Sequence, residues 1–133
     1  MGYCPEGESM HICWVTIHVS NMEESKKFYC DVIGLKVKTE FSPRPGMRIC
    51  FLDGGTTDYE LIENSDDGNE QPFSKRVSVG FQVDALDAKI EVLKNKGITA
   101  ITGPMQPSPT TRFIFITDPD GMMVQLVEQL EKK

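Results

Sequence analysis

Residues 13–19 read CWVTIHV, and residues 77–83 read VSVGFQV. In the first stretch Cys13, Val15, Ile17 and Val19 alternate with Trp14, Thr16 and His18. In the second, Val77, Val79, Phe81 and Val83 alternate with Ser78, Gly80 and Gln82. Successive side chains of a strand point to opposite faces, so each stretch predicts a strand with one apolar face to pack and one mixed face turned to something wetter. The residues after each strand are alike too. Beyond the first, Asn21 with Glu24 three positions on predicts a helix start. Phe28, Tyr29, Val32 and Ile33 supply its apolar stripe, and Gly34 is placed to end it in the left-handed conformation. Beyond the second, Asp84 is placed as the cap, Leu86, Ile90 and Leu93 form the stripe, and Gly97 ends the helix.

Working outward, LKVKTEF (35–41), MRICFLD (47–53) and DYELIE (58–63) predict three further strands, separated by the turn formers SPRPG and DGGTT. In the second half ITAI (98–101), TRFIFIT (111–117) and MVQLVE (123–128) take the same places. Matching positions lie 63 to 65 residues apart: Trp14 with Ser78, Gly34 with Gly97, Arg48 with Arg112, Phe51 with Phe115, Asp53 with Asp118, and Glu60 with Gln125. The expectation is an α+β fold of two βαβββ repeats, one over 10–63 and one over 77–129, with a polar linker at 64–76.

Composition narrows the function classes. A chain of 133 residues is long enough for one ordinary domain with a real core. Twenty acidic against fourteen basic residues give a net charge of −6, a field that repels phosphate backbones and anionic lipid, so neither nucleic acid nor a membrane is an expected partner. No apolar run approaches the ~20 residues of a membrane span. MGYCPEGESM, at the start, lacks the basic and apolar segments of a secretory signal, and the expected location is the cytoplasm. Cys4, Cys13, Cys30 and Cys50 have irregular spacing and no CxxC, which predicts reduced and mostly buried thiols.

The two βαβββ halves, the FY of the first helix ending at IGL, and DPDG before the last strand resemble the vicinal oxygen chelate superfamily of glyoxalase I-type lyases, bleomycin-resistance-type binding proteins, epimerases and extradiol dioxygenases. The resemblance covers residues 10 to 129 and implies curved mixed sheets around a cupped cavity, helices outside, and a homodimer. In metal-dependent members it implies one ligand from the first and one from the last strand of each half. Those positions here carry Trp14, Ser78, Glu60 and Gln125. Glu60 alone keeps an anionic donor. His11, three before Trp14, falls on the opposite face of the strand, and His18, on the right face, lies ~13 Å along it. No metal cofactor is therefore expected. If zinc or nickel did bind, Glu60 and Gln125 would be its ligands.

With Trp14 in place of an imidazole, that face gains a large flat apolar wall and one N–H donor. The expected ligand-binding residues are Trp14, Thr16, His18, Ser78, Gln82, Met123 and Gln125, with Ile62, Gly80 and Val127 on the same face. Arg48 and Arg112 are read chiefly as ion-pair partners. The expected function is binding of a small, planar or aromatic, neutral or cationic molecule by a protein with a degenerate metal site. The alternative is a glyoxalase I-type lyase or epimerase in which Glu60 is ligand or base beside a divalent metal. Extradiol dioxygenase chemistry fits worst, since its two histidines and one carboxylate reduce to Glu60.

Overall fold

Ile17 and Val19 are buried while Trp14 and His18 are exposed, so the alternation at residues 13–19 sorts the strand into a packed and an open face. The structure, a computed structural model, describes residues 10–65 and 77–130. Its elements run β1 (Trp14–His18), α1 (regular over Met22–Lys27 and π-helical over Phe28–Ile33), β2 (Lys36–Arg44), β3 (Met47–Asp53), β4 (Asp58–Asn64), β5 (Val79–Gln82), α2 (Leu86–Asn95), β6 (Thr102–Ser108), β7 (Thr111–Thr117) and β8 (Met123–Gln129). The expected β-α-β-β-β order thus occurs twice, and the fold is α+β. Most of the expected linker, from residue 66 to 76, lies outside the described residues. Among the described residues no helix is long and apolar enough to cross a membrane.

The chain divides into two compact units. The first contains β1 to β4 and Met22, the opening residue of α1. Its sheet has the order β1-β4-β3-β2, with β1 parallel to β4 and the other pairs antiparallel. Cys50, Leu52, Tyr59 and Leu61 share its packed face with Ile17, and each such burial contributes about 1.5–3 kcal/mol. The second unit contains β5 to β8, α2 and also Glu23–Gly34, so most of the helix expected to belong to the first repeat clusters with the second. Its sheet repeats the order, β5-β8-β7-β6, and its buried side chains include Leu86, Leu93, Ile114, Ile116, Val124 and Leu126.

Four local expectations are corrected. Residues 98–101 form no strand: the Ile98 amide donates to the Leu93 carbonyl at 2.9 Å and the Gly97 amide to that of Lys94 at 3.0 Å, so the apolar ITAI begins by closing α2. The outer strand comes later, as β6, and it tolerates Pro104 and Pro107 because an edge strand has no second neighbour to donate to. On the other sheet's edge, β2 likewise runs through Pro43 to Arg44 and shortens the expected SPRPG turn to its last two residues. Asp84 does not cap α2. The cap position is Ala85, without a side-chain bond, and the Leu86 amide donates instead to Glu128 Oε1 at 3.0 Å. The repeat-related Glu63 accepts from the Met22 amide at 2.8 Å. Finally, of the described cysteines only Cys50 is buried; Cys13 precedes β1 and is exposed, and Cys30 is half-buried.

Within the second unit, Tyr29 fastens the π-helical turns. It is fully buried, its ring lies 6.2 Å from that of Phe81, and its hydroxyl donates to Asp118 Oδ2 at 2.8 Å. Asp118 Oδ1 accepts from the amides of Asp120 at 2.9 Å and Met122 at 2.8 Å, which shapes the DPDG turn. Burial pushes the Asp118 carboxyl above its ordinary value, against the pull of the Tyr29 and backbone donors. A carboxyl raised on folding gives a stability term that is full below its unfolded pKa and lost as pH rises through its folded one. Tyr29→Phe removes a donor to the ionised form, and should cost about 1–3 kcal/mol at pH 7. The gap from wild type should narrow at acid pH as Asp118 protonates, measured by urea unfolding at both pH values. Glu128→Ala, which strips the Leu86 amide of its acceptor, should cost about 0.5–2 kcal/mol in the same assay.

Candidate functional site

The open face of the first unit is ordered by the parallel pairing of β1 with β4. The register sets Thr16 beside Glu60 and Trp14 beside Asp58, two residues before. Thr16 Oγ1 donates to Glu60 Oε1 at 2.6 Å, a short charge-assisted bond that fixes the carboxylate's orientation. On the other side of β4, Phe51 of β3 faces Glu60. Glu60 itself is 9% exposed. Trp14 is 54% exposed, and its indole meets the Phe51 ring edge to face at 5.9 Å and 80°. Asp58 is answered by Lys38, whose Nζ reaches its Oδ2 at 2.9 Å and whose ammonium it holds above its usual pKa. His18 sits at the far end of β1, exposed, next to Ile62 in register.

In the second unit the corresponding pairing is β5 with β8, and Gly80 stands beside Gln125 where Thr16 stands beside Glu60. Lacking a hydroxyl partner there, Gln125 turns its amide: Nε2 donates to Ser78 Oγ at 3.0 Å. Phe115 faces Gln125 across the ladder as Phe51 faces Glu60, and it packs edge to face on Phe113 at 5.5 Å. Gln82 is exposed and Met123 half-buried, on the same open face by alternation. The expected residues therefore collect in two groups. Trp14, Thr16, His18 and Glu60 belong to the first unit, and Ser78, Gln82, Met123 and Gln125 to the second.

Sequence reasoning missed two features. Pairing parity could have put Phe51 on the Glu60 face, since Cys50 and Leu52 take the packed one. Lys38 had no such signal: it sits at a register shift between Val37 and Thr39, which turns it toward Asp58. The two repeat-related arginines belong to ion pairs away from this face. Arg48 pairs with Glu40, and Arg112 with Asp87 at 3.2 Å and Glu128 at 3.7 Å.

The metal that the superfamily resemblance implies is a poor match for these side chains. A hard divalent ion or zinc takes several carboxylate, imidazole or thiolate donors. At the four positions in question the chain offers an indole with no lone pair to give, a hydroxyl engaged by an amide, a neutral amide oxygen and one carboxylate already accepting from Thr16. Among the described residues no group of three or more histidine, cysteine, aspartate or glutamate side chains is arranged to hold a metal ion.

Solved structures share the fold. A glyoxalase family protein from Bacillus cereus superposes with a TM-score of 0.78 at 16% identity, covering 97% of this chain and 100% of that one. TnmS3, an antibiotic binding protein from Streptomyces sp. CB03234, superposes with a TM-score of 0.71 at 23% identity, covering 91% and 97%. In sequence, the chain is 27% identical to a lactoylglutathione lyase of Haemophilus influenzae, over 93% of this chain and 96% of the relative. Residues 11–126 match the family model of the Glyoxalase/Bleomycin resistance protein/Dioxygenase superfamily, and the chain belongs to that superfamily.

Proposed function

We propose that the protein binds a small planar molecule against Trp14 and does so without a resident divalent metal. The observation that carries this is the side chain at position 14. A half-exposed indole, braced by Phe51, stands where metal-dependent relatives place a ligand, and it is suited to stacking on a flat ligand rather than to donating electrons to a cation of small radius. The neutral Gln125–Ser78 pair supports the same reading, because it supplies hydrogen bonds without charge. A fold neighbour described as an antibiotic binding protein is an instance of what this scaffold accommodates.

A second reading rests on the relatives named lactoylglutathione lyase and on the retained Glu60. Here Glu60 would act as base or ligand, and the loss of the other charged donors weighs against it. Calorimetric titration of zinc or nickel separates the two. The wild type should show no stoichiometric binding, because Glu60, already accepting from Thr16, is the one charged donor at the expected ligand positions. Tight one-to-one binding by the wild type, together with lactoylglutathione lyase activity in the metal-supplemented protein, would establish the lyase reading instead. The superfamily resemblance further supports a homodimer. Light scattering across a wide range of concentration should give twice the chain mass, and a monomer throughout would remove that proposal.

A further inference from the structure

Glu60 is a withdrawn carboxylate. It is 9% exposed, its hydrogen-bond partner is the Thr16 hydroxyl, and among the described residues no cation pairs with it, whereas its same-face neighbour Asp58 has Lys38. Taking a carboxylate out of water is costly unless it is paired, and one hydroxyl compensates only part of that cost. Thr16 occupies Oε1 and leaves Oε2 unengaged among the described residues. The repeat-related position makes the contrast plain: Gln125 carries no charge there and needs no counter-ion.

Aromatic residues flank Glu60 on this face: Phe51 stands opposite it across the ladder, and Trp14 stands one same-face step away on β1. β4 lies between β1 and β3, which are therefore ~10 Å apart, so Trp14 and Phe51 can approach to 5.9 Å only by leaning over β4, above its Asp58–Glu60 segment. The carboxylate thus lies at the foot of an edge-to-face aromatic pair. An aromatic face attracts a cation, and a carboxylate oxygen attracts a donor N–H; a flat group carrying both positive charge and N–H donors satisfies the two at once.

We propose that this face of the first unit recognises a planar organic cation, an amidinium, guanidinium or protonated ring amine on an aromatic body, with Glu60 as the counter-charge and Trp14 and Phe51 as the stacking wall. The inference rests on the small-molecule reading above and adds the charge class of the ligand. Thr16 is the positioning residue. The net charge of −6 draws such a cation toward the protein and repels its anionic analogue.

Trp14 is the chain's single tryptophan, so its fluorescence reports on this face alone. Three probes of one shape separate the contributions: naphthalene-2-carboxamidine, which is cationic, the neutral naphthalene-2-carboxamide, and the anionic naphthalene-2-carboxylate. The wild type should bind them in that order, with the amidine at least tenfold tighter than the amide by both fluorescence and calorimetry. Glu60→Gln should abolish the tenfold preference and leave the amide's affinity within about twofold, which also shows that the face has kept its shape. Trp14→Leu should weaken all three in calorimetry. Equal binding of amidine and amide by the wild type, a result needing no variant, overturns the charge assignment and leaves the planar-ligand reading standing. If no probe changes Trp14 fluorescence or gives heat, both fail.

Discussion

Everything at the candidate site depends on the parallel pairing of the first and last strands of each repeat. Antiparallel neighbours can be joined by a tight turn, but a parallel pair needs a long crossover, and here the crossover holds the helix and two intervening strands. The result is that residues 44 positions apart, Thr16 and Glu60, become immediate neighbours on one open face. The repeat does the same with Gly80 and Gln125. Because register in a sheet is fixed by which face must be buried, the apolar sets around Ile17, Leu61 and Leu126 determine which polar residues meet opposite them. Core packing and site geometry are one constraint seen from two sides.

The period-2 pattern made β1 and β5 legible, and the turn formers and the repeat made β3, β4, β7 and β8 so, two of them to the residue, since MRICFLD and TRFIFIT are β3 and β7. Periodicity failed where the physics is not local. Nothing near Leu86 announces that its amide is satisfied by Glu128, 42 residues on, and Asp84 was the plausible local candidate. β6 was missed because its sequence, TGPMQPS, carries no alternation; it is an edge held by a neighbour rather than by its own pattern. The site was legible in membership and not in partnership. Alternation placed Trp14, Thr16 and His18 on one face, yet only the pairing register reveals that Thr16, and not Trp14, stands beside Glu60.

That distinction changes what the neutral side chains at positions 14, 78 and 125 mean. Had Trp14 been the direct neighbour of Glu60, its bulk would simply have closed the position. Instead it stands one same-face step along β1, about 7 Å away, and packs edge to face on Phe51, the direct neighbour of Glu60 on β3. The hydroxyl of Thr16 meanwhile holds Glu60 in one orientation, which a water-exposed glutamate would not keep. A carboxylate that is oriented, largely dry and, among the described residues, without a paired cation is preorganised for the positive charge proposed above, because its desolvation has already been met by folding.

The two repeats carry different charge on the same backbone plan. In the first, an acidic side chain persists and the aromatic pair gathers above it; in the second, a glutamine satisfies itself on Ser78 and the aromatic pair, Phe113 with Phe115, stays on its own strand. The shared fold dictates neither choice, since a fold fixes which face is buried and not which polar side chain its open face carries. A glutamine that donates to a serine through its nitrogen offers a carbonyl oxygen to donors, and a glutamate beside a threonine offers an anionic one. Each face taken by itself therefore presents an acceptor to N–H groups, and on the proposal made above a group that also carries positive charge belongs with Glu60.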